Sequence, residues 1–271
     1  MSFVGKTVSV FGVVGLSALA TLGIVESASA VTVKAGRDLL FTPDGGATFF
    51  FEDLNAFVEF NGLPIDPNNL GLTDTIALRL DDVPESGGTT DLVIEELSLQ
   101  SAAPVNGQDV FVGLNPNEQS TGTMTINHDS PGSTGGTWSS SFDIHGIAIV
   151  AAQGLLTPSG AHFVEELIAG CPNASNYECI PFWKGPFVAL NEPWTHAAPP
   201  GAIIDPEDPD KNFFLDPEKP VIHDAGDGTI HTVTSTPVPE PTTILGSSIA
   251  LGFGAFFKKQ SSKKRNKKDV S

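Results

Sequence analysis

The chain is short of cysteine, methionine, tyrosine and basic residues: its 271 residues include 2 Cys, 2 Met, 1 Tyr and 14 Lys+Arg against 32 Asp+Glu, a formal charge of −18. So few basic residues exclude a nucleic-acid backbone as the main partner, because phosphate binding needs clustered Lys and Arg. Two cysteines cannot build a four-cysteine zinc site, and once paired they leave no thiolate nucleophile. The six histidines (His128, His145, His162, His196, His223, His231) never fall as H-x-H, H-x-x-x-H or H-E-x-x-H, so they read as scattered surface or capping residues. His145 is expected to face solvent, being out of phase with Phe142 and Ile144. No G-x-S-x-G elbow occurs; Gly132-Ser133-Thr134-Gly135 reads as a turn, and neither strand–helix alternation nor a glycine-rich phosphate loop is found.

What basic charge there is lies mostly at one end. Seven of the 14 basic residues fall within the last 14 positions, and only Lys6 lies in the first 30. Residues 31–237 hold 6 basic and 29 acidic residues, a net charge of −23. The N-terminus combines Lys6, an uncharged and mostly apolar run Thr7 to Val25, and Ala28-Ser29-Ala30. These are the three parts of a secretory signal peptide, with export by a Sec-type machinery and cleavage after Ala30 expected. An uncleaved N-terminal anchor is the alternative, since the run approaches the length of a membrane span.

The C-terminus runs Pro237-Val238-Pro239-Glu240-Pro241, then an apolar stretch Ile244 to Phe257, then the Lys/Arg cluster 258–268. As a helix, fourteen residues at about 1.5 Å each reach ~21 Å, a marginal span that Thr242, Thr243 and snorkelling Lys258 and Lys259 extend. The positive-inside tendency keeps the cluster cytoplasmic and the acidic body outside. Alternate prolines hold Val238 to Pro241 extended and accessible, the form in which proteases bind peptides.

With the short Gly-containing helix (Leu245-Gly246, Leu251-Gly252-Phe253-Gly254) and the basic end, this tail resembles the PEP-CTERM sorting signal of Gram-negative and cyanobacterial exported proteins. The resemblance covers Pro237 to Ser271. It implies that Val238, Pro239, Glu240 and Pro241 are the mark read by an exosortase, a membrane protease-transpeptidase, after an inner-membrane intermediate. It further implies delivery to the cell surface or to an extracellular, biofilm-type matrix, and it leaves the activity of the body open.

The body, residues 31–234, reads as all-β. Alternation places Trp138, Ser140, Phe142 and Ile144 on one face, Met124 and Ile126 on another strand's face, and Ile76, Leu78 and Leu80 opposite Thr75, Ala77, Arg79 and Asp81. Between Leu92/Ile94 and Leu97/Leu99 the phase changes, so a β-bulge at Glu95-Glu96 is expected. Phe49-Phe50-Phe51 reads as a strand buried on both sides, with an exposed ligand patch as the alternative. Turn clusters such as Pro43-Asp44-Gly45-Gly46 and Ser86-Gly87-Gly88 suit hairpins. The expected architecture is an antiparallel β-sandwich over 31–153, a loop-rich extension over 154–234 with a short helix at Ala161 to Ala169, and the tail 235–271 with a membrane helix at 244–257.

Cys171 and Cys179, in an exported chain, are expected to pair and to pin the loop between them. Beside them Tyr177, Phe182, Trp183, Phe187 and Trp194 read either as a satellite core or as a sugar-stacking platform, with Tyr177, Trp183 and Trp194 as glycan contacts. Carboxylates crowd from Asp205 to Glu218, so Asp205, Asp208 and Asp210 are a candidate calcium set, although no calcium-loop spacing is present and an extended linker is the alternative. No cofactor is otherwise implied. The functional expectation is a non-catalytic structural or adhesive surface protein, with a carbohydrate-binding module of the polysaccharide matrix as the alternative. A secreted hydrolase using carboxylate pairs comes third.

Overall fold

The structure, a computed structural model, describes residues 31–216 and 219–235. The signal-peptide region, the Val238 to Pro241 motif, the apolar run 244–257 and the basic cluster lie outside the described residues. Among the described residues no helix is long and apolar enough to cross a membrane.

Twelve strands make one antiparallel sheet: β1 Gly36–Phe41, β2 Ala47–Phe51, β3 Ala56–Gly62, β4 Thr75–Arg79, β5 Gly88–Ser101, β6 Gln108–Leu114, β7 Ser120–His128, β8 Gly135–Ala152, β9 Tyr177–Thr195, β10 Phe214–Leu215, β11 Val221–Asp224 and β12 Ile230–Ser235. One helix, α1 Phe163–Gly170, and a 3-10 turn at Cys171–Asn173 precede β9. The all-β antiparallel class expected from the sequence is present. Its layers are continuous, because the pairing β1-β4-β5-β7-β8-β9-β11-β12 returns to β1 and closes the sheet on itself. Closure satisfies backbone groups that free edges would present to water.

Two long strands turn the corners. The first half of β5, Gly88 to Ile94, pairs with β7, and Ser98 to Gln100 pairs with β6. Likewise β8 gives Gly136 to Phe142 to β7 and Gly146 to Ala152 to β6. Each change of partner coincides with an irregularity: Glu95 is the extra residue between Ile94 and Glu96 opposite β4, and the β8–β9 register shifts between Phe142 and Ile144. Bulges bend a strand and raise its twist, which lets one strand serve two walls. The bulge also keeps Leu92, Ile94, Leu97 and Leu99 all in the core, as the phase change requires.

The interior is aromatic. Phe49, Phe51, Phe60, Phe142 and Phe187 pack at one end with Phe182 against them, and Trp138, Trp194 and Phe213 pack at the other. Phe50, between the two buried phenylalanines, lies outside against Phe57, so that strand is buried on one side and half-covered on the other. Outside the barrel, α1 seals the apolar runs of β6 and β8, placing Val164 and Ile168 on Phe111 and Ile149. A Cβ on Gly113 would stand 2.6 Å from Ile168 Cδ1 and 2.9 Å from Val164 Cγ1, so glycine lets the helix sit flush on the sheet.

Two local expectations change. On β4 the alternation favours Leu80 inside and Arg79 out, yet Arg79 is 1% exposed and Leu80 47%. Arg79 Nε donates to Asp38 Oδ2 at 2.9 Å, its Nη1 donates to the Lys34 carbonyl, and the guanidinium lies over the Phe213 ring. Lys211 Nζ reaches Asp38 Oδ1 at 3.1 Å, so a charged cluster stands where an apolar side chain was expected. The last third does carry the helix, the disulfide and the long turns, but it also supplies the longest strand, β9, paired along nearly all of β8.

Candidate functional site

The acidic surface gathers around the β5 bulge. A groove of about 770 Å³ runs between Glu95 and Glu96, the β6–β7 turn carrying Glu118, and Arg37 with Glu207. Smaller depressions of about 220 and 350 Å³ flank it, and Glu96 lines all three. Arg37 at the start of β1 anchors the acidic segment that follows Ile204. Its Nε donates to Glu95 Oε2 at 2.8 Å, and its Nη1 meets Glu207 Oε2 at 2.6 Å and Asp205 Oδ2 at 3.1 Å. The Arg37 backbone N–H donates to Asp208 Oδ2 at 3.0 Å.

The calcium set therefore does not assemble. Asp205 is buried on Arg37, Asp208 caps the backbone of β1, and Asp210 is exposed; their oxygens do not come together. The carboxylate crowding seen in the sequence is met by one arginine and a main-chain donor.

A different set converges. Glu96 of the bulge, His162 just before α1, and Glu165 in its first turn bring one ligand atom each to within 4.8 Å of one another, the only such group of three or more among the described residues. His162 Nδ1 lies 3.1 Å from Glu165 Oε2. Burial and the neighbouring Glu165 push the Glu96 carboxyl above its ordinary range, against the weaker pull of His162 and Arg37. Spacing along the chain gave no sign of this group, since 66 residues separate Glu96 from His162 and only the fold joins them.

The disulfide is formed: Cys171 and Cys179 are bonded with their Cα atoms 5.9 Å apart, and no cysteine is free among the described residues. It links the end of α1 to β9. The aromatics beside it part company. Phe182 packs on Phe49 and Phe51, Phe187 stacks on Phe142, and Tyr177 donates its hydroxyl to the Leu167 carbonyl at 2.9 Å. Trp194 is 4% exposed, stacked on Phe213, with its indole N–H on the Asn127 carbonyl. Trp183 alone of the five stays largely in water, 54% exposed. A platform of Tyr177, Trp183 and Trp194 is thus not built, and the satellite-core alternative describes the others. Trp183 is the cross-strand partner of His145, whose Nδ1 lies 3.1 Å from Glu118 Oε2 on the rim of the groove.

The histidines are less superficial than their scatter suggests. His223 and His231 are buried inside the barrel as cross-strand partners on β11 and β12. Ser140 Oγ lies 3.1 Å from His223 Nε2, and Thr42 Oγ1 lies 2.9 Å from His231 Nε2 while donating to Asp74 Oδ1 at 2.8 Å. Burial drives His223 down to about 4 and His231 down to about 3, and lifts Asp74 to about 7 despite its hydrogen bonds from Thr42 and Thr75. The adjoining cavity of about 30 Å³ holds about one water, so the Ser140–His223 pair has no room for a substrate.

No protein-family model, curated protein or solved structure matches this chain.

Proposed function

We propose that the protein is exported and sorted through its C-terminal tail to the cell surface or extracellular matrix, where the closed β-body serves as a non-catalytic structural or adhesive component. The observation that carries this reading is the Cys171–Cys179 bond, which closes the only two cysteines of the chain and suits an oxidising compartment. Tail and body then have separate tasks. The signal peptide starts translocation, Ile244 to Phe257 arrests it with the basic cluster inside, and an exosortase-like protease cuts near Val238 to Pro241. In a host that has an exosortase, replacing Pro239-Glu240-Pro241 by alanines is expected to leave the chain unprocessed and off the surface. Unchanged processing would contradict the reading.

A second reading, carbohydrate binding by the body, is favoured by the exposed Trp183, cross-strand partner of the His145 that meets Glu118 of the groove. Aromatic faces stack on sugar rings while imidazole and carboxylate reach hydroxyls. Binding on a glycan array, lost in Trp183→Ala with an unchanged urea midpoint, supports it; an array without binding removes it.

A further inference from the structure

The β5 bulge turns two adjacent glutamates off the core face, and their fates differ. The Glu95 carboxylate is held by Arg37 at 2.8 Å, whereas among the described residues no hydrogen bond or ion pair reaches the Glu96 carboxylate. Facing Glu96 are His162 and Glu165, already 3.1 Å apart and supplied by the entry to α1. We propose that Glu96, His162 and Glu165 form a binding site for a divalent transition-metal ion of the zinc type.

The donor set argues for that class of ion. One imidazole nitrogen with two carboxylate oxygens is a borderline set that suits zinc, while calcium wants six to eight oxygens and the oxygen-rich segment nearby is tied to Arg37. Ligands about 2.0–2.2 Å from a tetrahedral ion stand roughly 3.3 Å from one another. His162 and Glu165 are at that separation now, and drawing in Glu96 from at most 4.8 Å takes side-chain rotation at a half-open surface. The depressions of about 220 and 350 Å³ on either side leave the fourth position to water or to a ligand from outside. Burial and repulsion, which raise Glu96, are the costs that a bound cation relieves.

The site has a structural consequence. An isolated eight-residue helix is marginal in water. The disulfide ties the end of α1 to β9 through Cys171, and the metal ties its first turn to β5, so the helix is fixed to the sheet at both ends.

The test is calorimetric titration of the metal-stripped full chain with zinc chloride, repeated with His162→Ala, Glu96→Gln and His128→Ala. One equivalent of zinc is expected to bind, at least tenfold more weakly in His162→Ala and in Glu96→Gln, and unaffected by millimolar calcium. Amide exchange across 163–170 should slow on adding zinc to the unaltered chain and stay unchanged in the two variants. His162 is exposed and Glu96 half-buried, so equal urea midpoints without zinc will separate lost ligation from lost folding. Absence of saturable binding overturns the proposal. So does binding that survives both variants but disappears in His128→Ala, which would place the ion at the His128–His196 pair.

Discussion

Asp38 holds two cations apart in the wall of the barrel. Burial works to raise its carboxyl, but Arg79 and Lys211 together outweigh that and keep it below its ordinary range. Taking away the anion leaves two buried cations facing each other, whereas taking away Arg79 leaves Asp38 with Lys211. Breaking a buried pair costs about 3–5 kcal/mol. Asp38→Ala is therefore expected to lose at least that much by urea denaturation, and Arg79→Met less. The reverse order would contradict the account. The sequence showed Arg79 only as a polar residue in an alternating strand; what made it internal was a partner one strand away and a lysine 132 residues later in the chain.

Asp74, His223 and His231 act in opposite directions on stability. A histidine depressed from its ordinary 6.5 contributes stability that is present above pH 6.5 and is lost as pH falls toward about 4 for His223 and about 3 for His231. Asp74, raised from 3.8 to about 7, contributes stability that is present in acid and is lost as pH rises through about 7. Between pH 4 and 6.5 two histidines oppose one aspartate, leaving a net slope of about one proton, ~1.4 kcal/mol per pH unit. Urea midpoints should thus rise from pH 4 to a maximum near 6.5 and then ease downward. His223→Gln with His231→Gln should remove the acid limb, and Asp74→Asn the decline between about 6.5 and 7, above which the midpoint levels off.

At the scale of elements, legibility followed locality. The Glu95-Glu96 bulge was readable because it reverses the parity of apolar residues within one strand, and α1 because Phe163, Val164, Leu167 and Ile168 share one side. By contrast β9 was hidden by Pro181, Pro186 and Pro193, residues that normally argue against a strand. They are accommodated because β11 and β10 meet the far side of β9 only at Val188 and at Trp194 and Thr195, so much of that side needs no donor. The site around Glu96 was invisible for a related reason: its members lie on separate elements brought together by the closed sheet. The helix supplies a stability test. Ile168→Ala removes part of the cover over Phe111 and Ile149 and is expected to cost about 2–4 kcal/mol. Cys171→Ser with Cys179→Ser reopens a short loop worth ~2–3 kcal/mol. Because both act on one helix, the losses should fall short of additive when combined.

For the whole molecule, the charge is a sum over parts with different destinations. Residues 31–237 carry −23, and the basic cluster beyond them changes the total to the observed −18. If the tail is a sorting device, the cluster stays in the cytoplasm and the mature body is more acidic than the chain that was translated. Such a body repels anionic polymers unless divalent ions bridge them, which gives metal binding at its surface a place in any matrix role. Intact-mass and terminal-sequence analysis of the protein recovered from the surface of an exosortase-containing host tests this account most directly. It predicts a chain that begins at Val31 and ends near Pro239 to Pro241, without Ile244 onward. Recovery of a surface protein that still carries residues 1–30 or 244–271 would contradict it.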